Sequence, residues 1–182
     1  APTGDARPTV LPLHSPVALA TTSATAASQT TAQVIYDRSD EQEVERLLND
    51  TSLRTSLDFA RRLKGRPYVA ATLEVADPER LVVNLRGLDC ATLVETASAL
   101  AMTRREGKRR FADYCRNLER LRYFDGHVAG YTSRLHYLSF WMADHLRRKT
   151  IEEVVLPTNL TQPLHIDLHY MSRHAESYPM LR

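Results

Sequence analysis

The sequence has few of the residues that would point to a disulfide-rich, metal-binding or membrane protein. Its 182 residues include only two cysteines, which are too few for a disulfide framework. The CxxC and HExxH signatures are absent and the seven histidines are scattered, so we predict no metal and no cofactor. No apolar run is long enough for a membrane span. A net charge of +2 does not indicate nucleic acid, and we predict none as a partner.

Composition divides the chain into a tail and a domain. Residues 1–38 are rich in Ala, Thr, Ser and Pro, with few large apolar side chains, and predict a flexible tail. Such a tail fits a segment that remains after export. Residues 39–182 are long enough to bury a core.

Helical and extended segments alternate along this domain. Ser39-Asp40-Glu41-Gln42 predicts a capping box, followed by an apolar stripe at Val44, Leu47 and Leu48. The other predicted elements are a helix over 52–63 with Leu57 in its apolar stripe, extended segments over 67–73 and 81–85, a helix over 111–121, a turn at 125–126 and a helix over 135–148 with Leu138 and Trp141 inside.

Two basic runs, Arg104–Arg110 and Arg147–Lys149, follow helix-like segments. Cations suit the C-terminal end of a helix, so we interpret both runs as solvated faces. A contact with an anionic polymer is the alternative.

The most informative segment runs from Val82 to Glu95. A β-prone stretch passes through Gly87 to Cys90, and apolar residues then recur at helical spacing at Leu93, Val94, Ala97, Leu100 and Ala101. Asp89 is a suitable N-cap, which places Cys90 in the first turn, where the helix dipole favours a thiolate. The alternative is that Cys90 is a buried apolar residue, as we predict for Cys115.

Four segments in order resemble the N-acetylmuramoyl-L-alanine amidase-like family of bacterial cell-wall hydrolases. These proteins belong to the NlpC-type branch of the papain-like cysteine peptidases. The resemblance covers the chain from about Leu53 onward. The matching segments are 65–74, 82–95, 122–137 and a pair near the end, Met171–His174 with Ser177-Tyr178-Pro179.

The resemblance implies an α+β, papain-like fold in which helices pack on a small antiparallel sheet and Cys90 begins a central helix. It implies that Cys90 is the nucleophile and that Tyr68 hydrogen-bonds the scissile carbonyl. Tyr68 as a half-buried strand aromatic is the alternative.

The catalytic histidine of this family comes from strands that follow the matched segments. Because no such strand is recognisable here, we expect these C-terminal strands, with their histidine, outside this chain. Otherwise a histidine of this chain serves as the base, and His136 is the best placed by motif. The other candidates are His127, His165, His169 and His174.

Asp89, Tyr131, Ser133 and Arg134 are the predicted substrate-binding residues. Arg134 suits the carboxylate of a peptidoglycan stem peptide. A structural salt bridge from Arg134, to Glu95 for example, is the alternative.

The resemblance therefore implies a peptidoglycan amide hydrolase that cleaves the N-acetylmuramoyl-L-alanine bond in the periplasm or outside the cell. Two alternatives stay open: an inactive cell-wall-binding module and a cysteine acyltransferase. An incomplete sheet would also leave an edge for self-association.

Overall fold

The computed structural model describes residues 34–162 and 169–177, which form a helix-rich α+β fold. Most of the predicted tail, residues 1–33, lies outside the described residues, and its flexibility stays a prediction. Residues 34 and 35 already belong to a strand, so the ordered part begins before residue 39. The elements are β1 (Val34–Ile35), α1 (Arg38–Asn49), α2 (Ser56–Arg62), β2 (Leu81–Val82), α3 (Cys90–Arg105), α4 (Phe111–Arg122), α5 (Leu138–Arg147) and α6 (Tyr170–Arg173).

The sheet of the described residues has two strands, and they run parallel. Val34 pairs with Leu81 and Ile35 with Val82. The prediction of an antiparallel sheet is therefore wrong for this part of the chain. The physical reason is the connection between the strands, because it contains α1 and α2 and returns the chain in the same direction, as parallel pairing requires.

The N-cap of helix α1 lies two residues earlier than predicted. Asp37, rather than Ser39, is the N-cap, and its carboxylate accepts a hydrogen bond from the Ser39 backbone N–H at 2.8 Å. The carboxylate of Asp40 accepts from the Asp37 N–H in return. Since Asp and Ser cap helices about equally well, composition alone could not choose between them. The predicted apolar stripe of α1 is fully buried.

The core lies where α3 packs against α1, α2 and α4. Ala97, Leu100 and Ala101 of α3 are buried as predicted, but half of Val94 is exposed. Leu57 of α2 and Leu138 of α5 are also exposed, contrary to the predictions for them. Trp141 does pack against the core.

The longest described helix, α3, has 16 residues. Within residues 34–162 and 169–177, no helix has the length and apolar character needed to cross a bilayer.

Candidate active site

Cys90 is the first residue of α3, and its position is set by a capping box. The Asp89 carboxylate accepts a hydrogen bond from the Thr92 N–H at 2.8 Å, and the Thr92 hydroxyl accepts from the Asp89 N–H at 2.9 Å. This reciprocal pair fixes where the helix starts. The thiol is exposed at the helix end where backbone N–H groups lack intrahelical acceptors.

An extended segment crosses in front of this helix end and brings Tyr68 to it. The Val69 N–H donates to the Leu88 carbonyl at 3.2 Å, and the Leu88 N–H donates to the Pro67 carbonyl at 3.1 Å. The segments approach so closely at Gly87 that an added Cβ would lie 2.7 Å from a methyl carbon of Val69. Any larger residue at position 87 would force the Val69 side chain to shift.

Cys90 and Tyr68 both line a depression of about 530 Å³, which we call the Cys90 cavity. Tyr68 is 72% exposed, so the expectation of a half-buried strand aromatic is wrong. Its lining is mainly apolar and also includes basic side chains. The remaining lining residues are Leu57, Ala60, Arg61, Leu63, Lys64, Gly65, Arg66, Leu88, Asp89 and Leu93.

Cys115 lies in a different environment, on α4 in the core. It is 2% exposed, and burial raises the pKa of its thiol to about 12. Because the thiolate is the reactive form, this site does not favour reaction.

A buried ion pair fixes α3 to α4 behind the Cys90 end of α3. The guanidinium of Arg122 donates to the carboxylate of Glu95 at 2.7 Å, and it also donates to the Val82 carbonyl. Both side chains are almost fully buried. Glu95 is therefore paired with Arg122 and not with Arg134.

Arg134 makes a salt bridge of the predicted kind, but with other partners. Its guanidinium lies 2.5 Å from a carboxylate oxygen of Glu74, 3.7 Å from Glu79 and 4.9 Å above the ring centre of Tyr131. Burial raises the pKa of Glu79, against the hydrogen bond from Tyr123 and the charge of Arg134. A substrate carboxylate at Arg134 would therefore compete with Glu74, so a binding role stays a prediction.

Tyr131 and Ser133 support the loop before Arg134. Tyr131 is buried. The Ser133 hydroxyl donates to the Gly130 carbonyl at 2.7 Å and accepts from the Ala129 N–H at 2.9 Å. Ser133 is thus already engaged within the loop.

His136 lies in a second depression of about 610 Å³, which we call the His136 cavity. Its Nε2 is 2.9 Å from the Tyr131 carbonyl oxygen. Because a carbonyl oxygen only accepts, Nε2 carries the proton and Nδ1 is the basic nitrogen of the neutral ring. Burial lowers the pKa of His136. The other lining residues include Glu74, Asp89, Thr92, Glu95, Arg122, Arg134 and Tyr137.

Asp89 lines both cavities, so the helix start with Cys90 separates a mainly apolar depression from one whose lining includes several charged residues. In residues 34–162 and 169–177, no histidine makes a hydrogen bond with the Cys90 sulfur. Within the same ranges, no cluster of His, Cys, Asp and Glu could hold a metal ion.

The other candidate histidines do not form a site with Cys90 in the described part of the chain. His127 and His169 are exposed, and Nδ1 of His174 contacts the Tyr170 carbonyl at 2.7 Å. His165 lies outside the described residues.

Two charged residues of the site were missed by the sequence reasoning. Glu74 ends one of the segments that resemble the family and Arg122 begins another, so their positions in these segments were a signal for both. Their pairing depends on which helices and loops meet, which the motifs do not specify.

A family model described as AmiA-like, N-acetylmuramoyl-L-alanine amidase-like, matches residues 58–181. No curated protein is similar enough to this chain to count as a match.

Several solved structures are also similar to this chain. An N-acetylmuramoyl-L-alanine amidase from Bacteroides uniformis is 36% identical, with a TM-score of 0.60, over 69% of this chain and 52% of that protein. A Bacteroides fragilis protein named as a candidate xylanase is 44% identical, with a TM-score of 0.53, over 62% of this chain and 48% of that protein. A Legionella pneumophila protein, 19% identical with a TM-score of 0.50 over 66% of this chain and 40% of that one, shares the fold.

The chain spans about half the length of the two Bacteroides proteins. The family match extends over most of the residues from α2 onward and includes Cys90, Tyr68 and His136. This chain therefore belongs to the N-acetylmuramoyl-L-alanine amidase-like family.

Proposed function

We propose that this chain provides the nucleophile and substrate-binding surface of a peptidoglycan amide hydrolase, with Cys90 as the nucleophile. One observation carries the proposal, namely an exposed thiol at a capped helix start between two cavities. Family membership supports the amide as the bond that is cleaved. We take the bond between N-acetylmuramic acid and L-alanine as the first candidate, and we expect action in the periplasm or outside the cell.

In the proposed reaction the Cys90 thiolate attacks the carbonyl carbon of the amide. The carbonyl oxygen becomes an oxyanion, which the Cys90 backbone N–H and the Tyr68 hydroxyl can stabilise. The C–N bond then breaks, the amine leaves with a proton from a general acid, and a thioester forms on Cys90. Water hydrolyses the thioester, which releases the carboxylic acid and restores the thiol.

The proposed reaction also needs a general acid and base. Within the chain, His136 is the candidate, and its pKa, lowered by burial, keeps the ring neutral near pH 7. His136 and Cys90 line different cavities, however. A histidine outside this chain is therefore our preferred source of the base.

A glycosidase is a weaker candidate, although one similar protein carries that name. Glycoside hydrolysis uses two carboxylates that flank the scissile bond. Two carboxylates of the His136 cavity already form ion pairs. Glu74 is paired with Arg134, and Glu95 is paired with Arg122. Neither is available for such a role without breaking an ion pair.

The test is to incubate the chain with muropeptides and to follow both products and intact mass. We expect a muropeptide acyl adduct on Cys90, absent in Cys90→Ala and kept in Cys115→Ala, which is the matched control. Tyr68→Phe should slow adduct formation by about a hundredfold, the usual effect of losing one oxyanion donor.

We expect slow hydrolysis by the chain alone, because general acid–base catalysis contributes roughly a hundred- to ten-thousand-fold. Rapid turnover by a monomer, lost in His136→Ala, would instead identify His136 as the base. Muropeptide binding without an adduct, unchanged in Cys90→Ala, would indicate a binding module. An adduct resolved by added amines rather than by water would indicate an acyltransferase.

Self-association through a sheet edge also stays a prediction. In the described two-stranded sheet the Val82 carbonyl of β2 already accepts a hydrogen bond from Arg122, so we expect any pairing to use the edge of β1. Light scattering over a range of protein concentrations would detect it.

A further inference from the structure

Four arginines line a depression of about 410 Å³ at the far end of α3 from Cys90. Arg104 and Arg105 end the helix, Arg109 follows it, and Arg54 comes from the segment before α2. Arg54 therefore lies beside Arg104 although fifty positions separate the two residues in the sequence. We call these four residues the arginine cluster.

Two members of the arginine cluster have a structural role as well. Arg104 and Arg109 donate to the carbonyl oxygen of Leu48, at 3.0 and 3.3 Å, near the end of α1. Cations at a helix C-terminus stabilise its unpaired carbonyls. A guanidinium has five N–H donors, so one bond fixes each side chain in place and leaves most of its donors available.

The charge of the arginine cluster is not neutralised within the part of the chain that the structure describes. Arg46, Arg62 and Arg66 each form an ion pair with a carboxylate. No member of the cluster has a described carboxylate oxygen within 4.0 Å, and the side chains of Arg54 and Arg105 make no hydrogen bond to a described residue. Four like charges around one depression repel each other, and a bound anion would relieve this repulsion.

We propose that the arginine cluster binds the phosphate groups of an anionic polymer that lacks bases. Guanidinium groups are weakly hydrated and match the oxygens of a phosphate in a bidentate manner. The depression is lined by exposed or half-exposed side chains, so one phosphate would remain hydrated there. A polymer instead engages several arginines at once.

The absence of aromatic side chains from the lining argues against single-stranded nucleic acid, because single strands bind through base stacking on aromatic residues. Cys90 and Arg104 are about 21 Å apart along the axis of α3, at 1.5 Å per residue. A polymer held at the arginine cluster would therefore leave the Cys90 cavity open. This proposal does not depend on the activity of Cys90.

The test is binding of fluorescently labelled, long-chain inorganic polyphosphate at several salt concentrations. The variant is Arg54→Gln with Arg105→Gln, since both side chains are exposed and neither donates a hydrogen bond to a described residue. The control, Arg38→Gln with Arg116→Gln, removes the same charge from α1 and α4. Arg38 lies about 15 Å along α1 from Leu48, the anchor of the cluster.

We expect the cluster variant to bind at least about tenfold more weakly while the control keeps wild-type affinity. For the cluster variant, a plot of the logarithm of the association constant against the logarithm of the salt concentration should be less steep than for the wild type. We expect its slope to be smaller in magnitude by about 1.4, or about 0.7 for each phosphate that an arginine no longer neutralises. Equal weakening in both variants would overturn the proposal, because it would indicate a general charge effect. Tighter binding of an oligodeoxynucleotide of equal charge would also overturn it, as would saturable binding of inorganic phosphate as tight as that of polyphosphate. Circular dichroism melts should show that both variants fold.

Discussion

The two cysteines of this protein occupy opposite environments although both lie on helices of the same core. Cys90 is exposed at the start of α3, beside two cavities, whereas Cys115 is buried on α4 and its pKa is raised to about 12. Residue type therefore says little about chemistry here. The position along the helix and the degree of burial separate a candidate nucleophile from a packing residue.

The largest expected effect is a difference in thiol reactivity. Iodoacetamide at about pH 7.5 should label Cys90 at least about a thousandfold faster than Cys115, because a thiol with a pKa of about 12 is almost never a thiolate at this pH. Peptide mapping by mass spectrometry measures both rates. In guanidinium chloride the two rates should become similar. Equal rates in the folded protein would remove the contrast between the two sites.

The next largest effect concerns the ion pair behind the Cys90 end of α3. Arg122→Met leaves the Glu95 carboxylate buried without its partner, and we expect a decrease of about 3–5 kcal/mol in the free energy of unfolding. The double variant Glu95→Leu with Arg122→Met should be destabilised much less, since no charge remains buried. Urea denaturation measures both. A decrease below about 1 kcal/mol in Arg122→Met would show that the pair does not hold α3.

Removing each sulfur should have a smaller and unequal effect on stability. Cys115→Ala creates a small cavity in the core, and we expect a decrease of about 1 kcal/mol in the free energy of unfolding. Cys90→Ala should stay within about 0.5 kcal/mol of the wild type, as for most surface substitutions. Urea denaturation of the two variants side by side tests this. The reverse order would mean that Cys90 is a packing residue.

The smallest effect is a dependence of stability on pH. Burial lowers the pKa of His136, and of His145 inside α5, below the ordinary value of 6.5. The unfolded chain then binds protons at a higher pH than the folded chain does. The neutral histidines should therefore make their full contribution to the free energy of unfolding above about pH 6.5. This contribution should decrease as the pH is lowered towards the folded-state pKa values.

We expect melting temperatures to be lower at about pH 5.5 than at about pH 7.5. His136→Gln should reduce this difference, because Gln keeps a donor for the Tyr131 carbonyl but does not titrate. An unchanged difference in this variant would exclude His136 as a source of the dependence.

Much of the local structure near Cys90 follows from sequence alone. A helix start needs a capping side chain and a helical pattern after it, and Asp89 with the residues from Cys90 onward provides both over a short stretch. The same reasoning misplaced the start of α1, where Asp37 and Ser39 are both good caps. It also placed Leu57 and Leu138 inside, because periodicity identifies an apolar stripe but not whether another element covers it.

The sequence by itself determined the family, the cysteine at the start of a helix and the segments that surround it. Only the tertiary structure decided that the strands are parallel, that Glu95 pairs with Arg122, that Arg134 pairs with Glu74 and that Arg54 joins Arg104. The physical reason is the range of the interactions. Caps and helical periods act within a few residues, whereas ion pairs and cavities form between segments whose meeting depends on how the whole core packs.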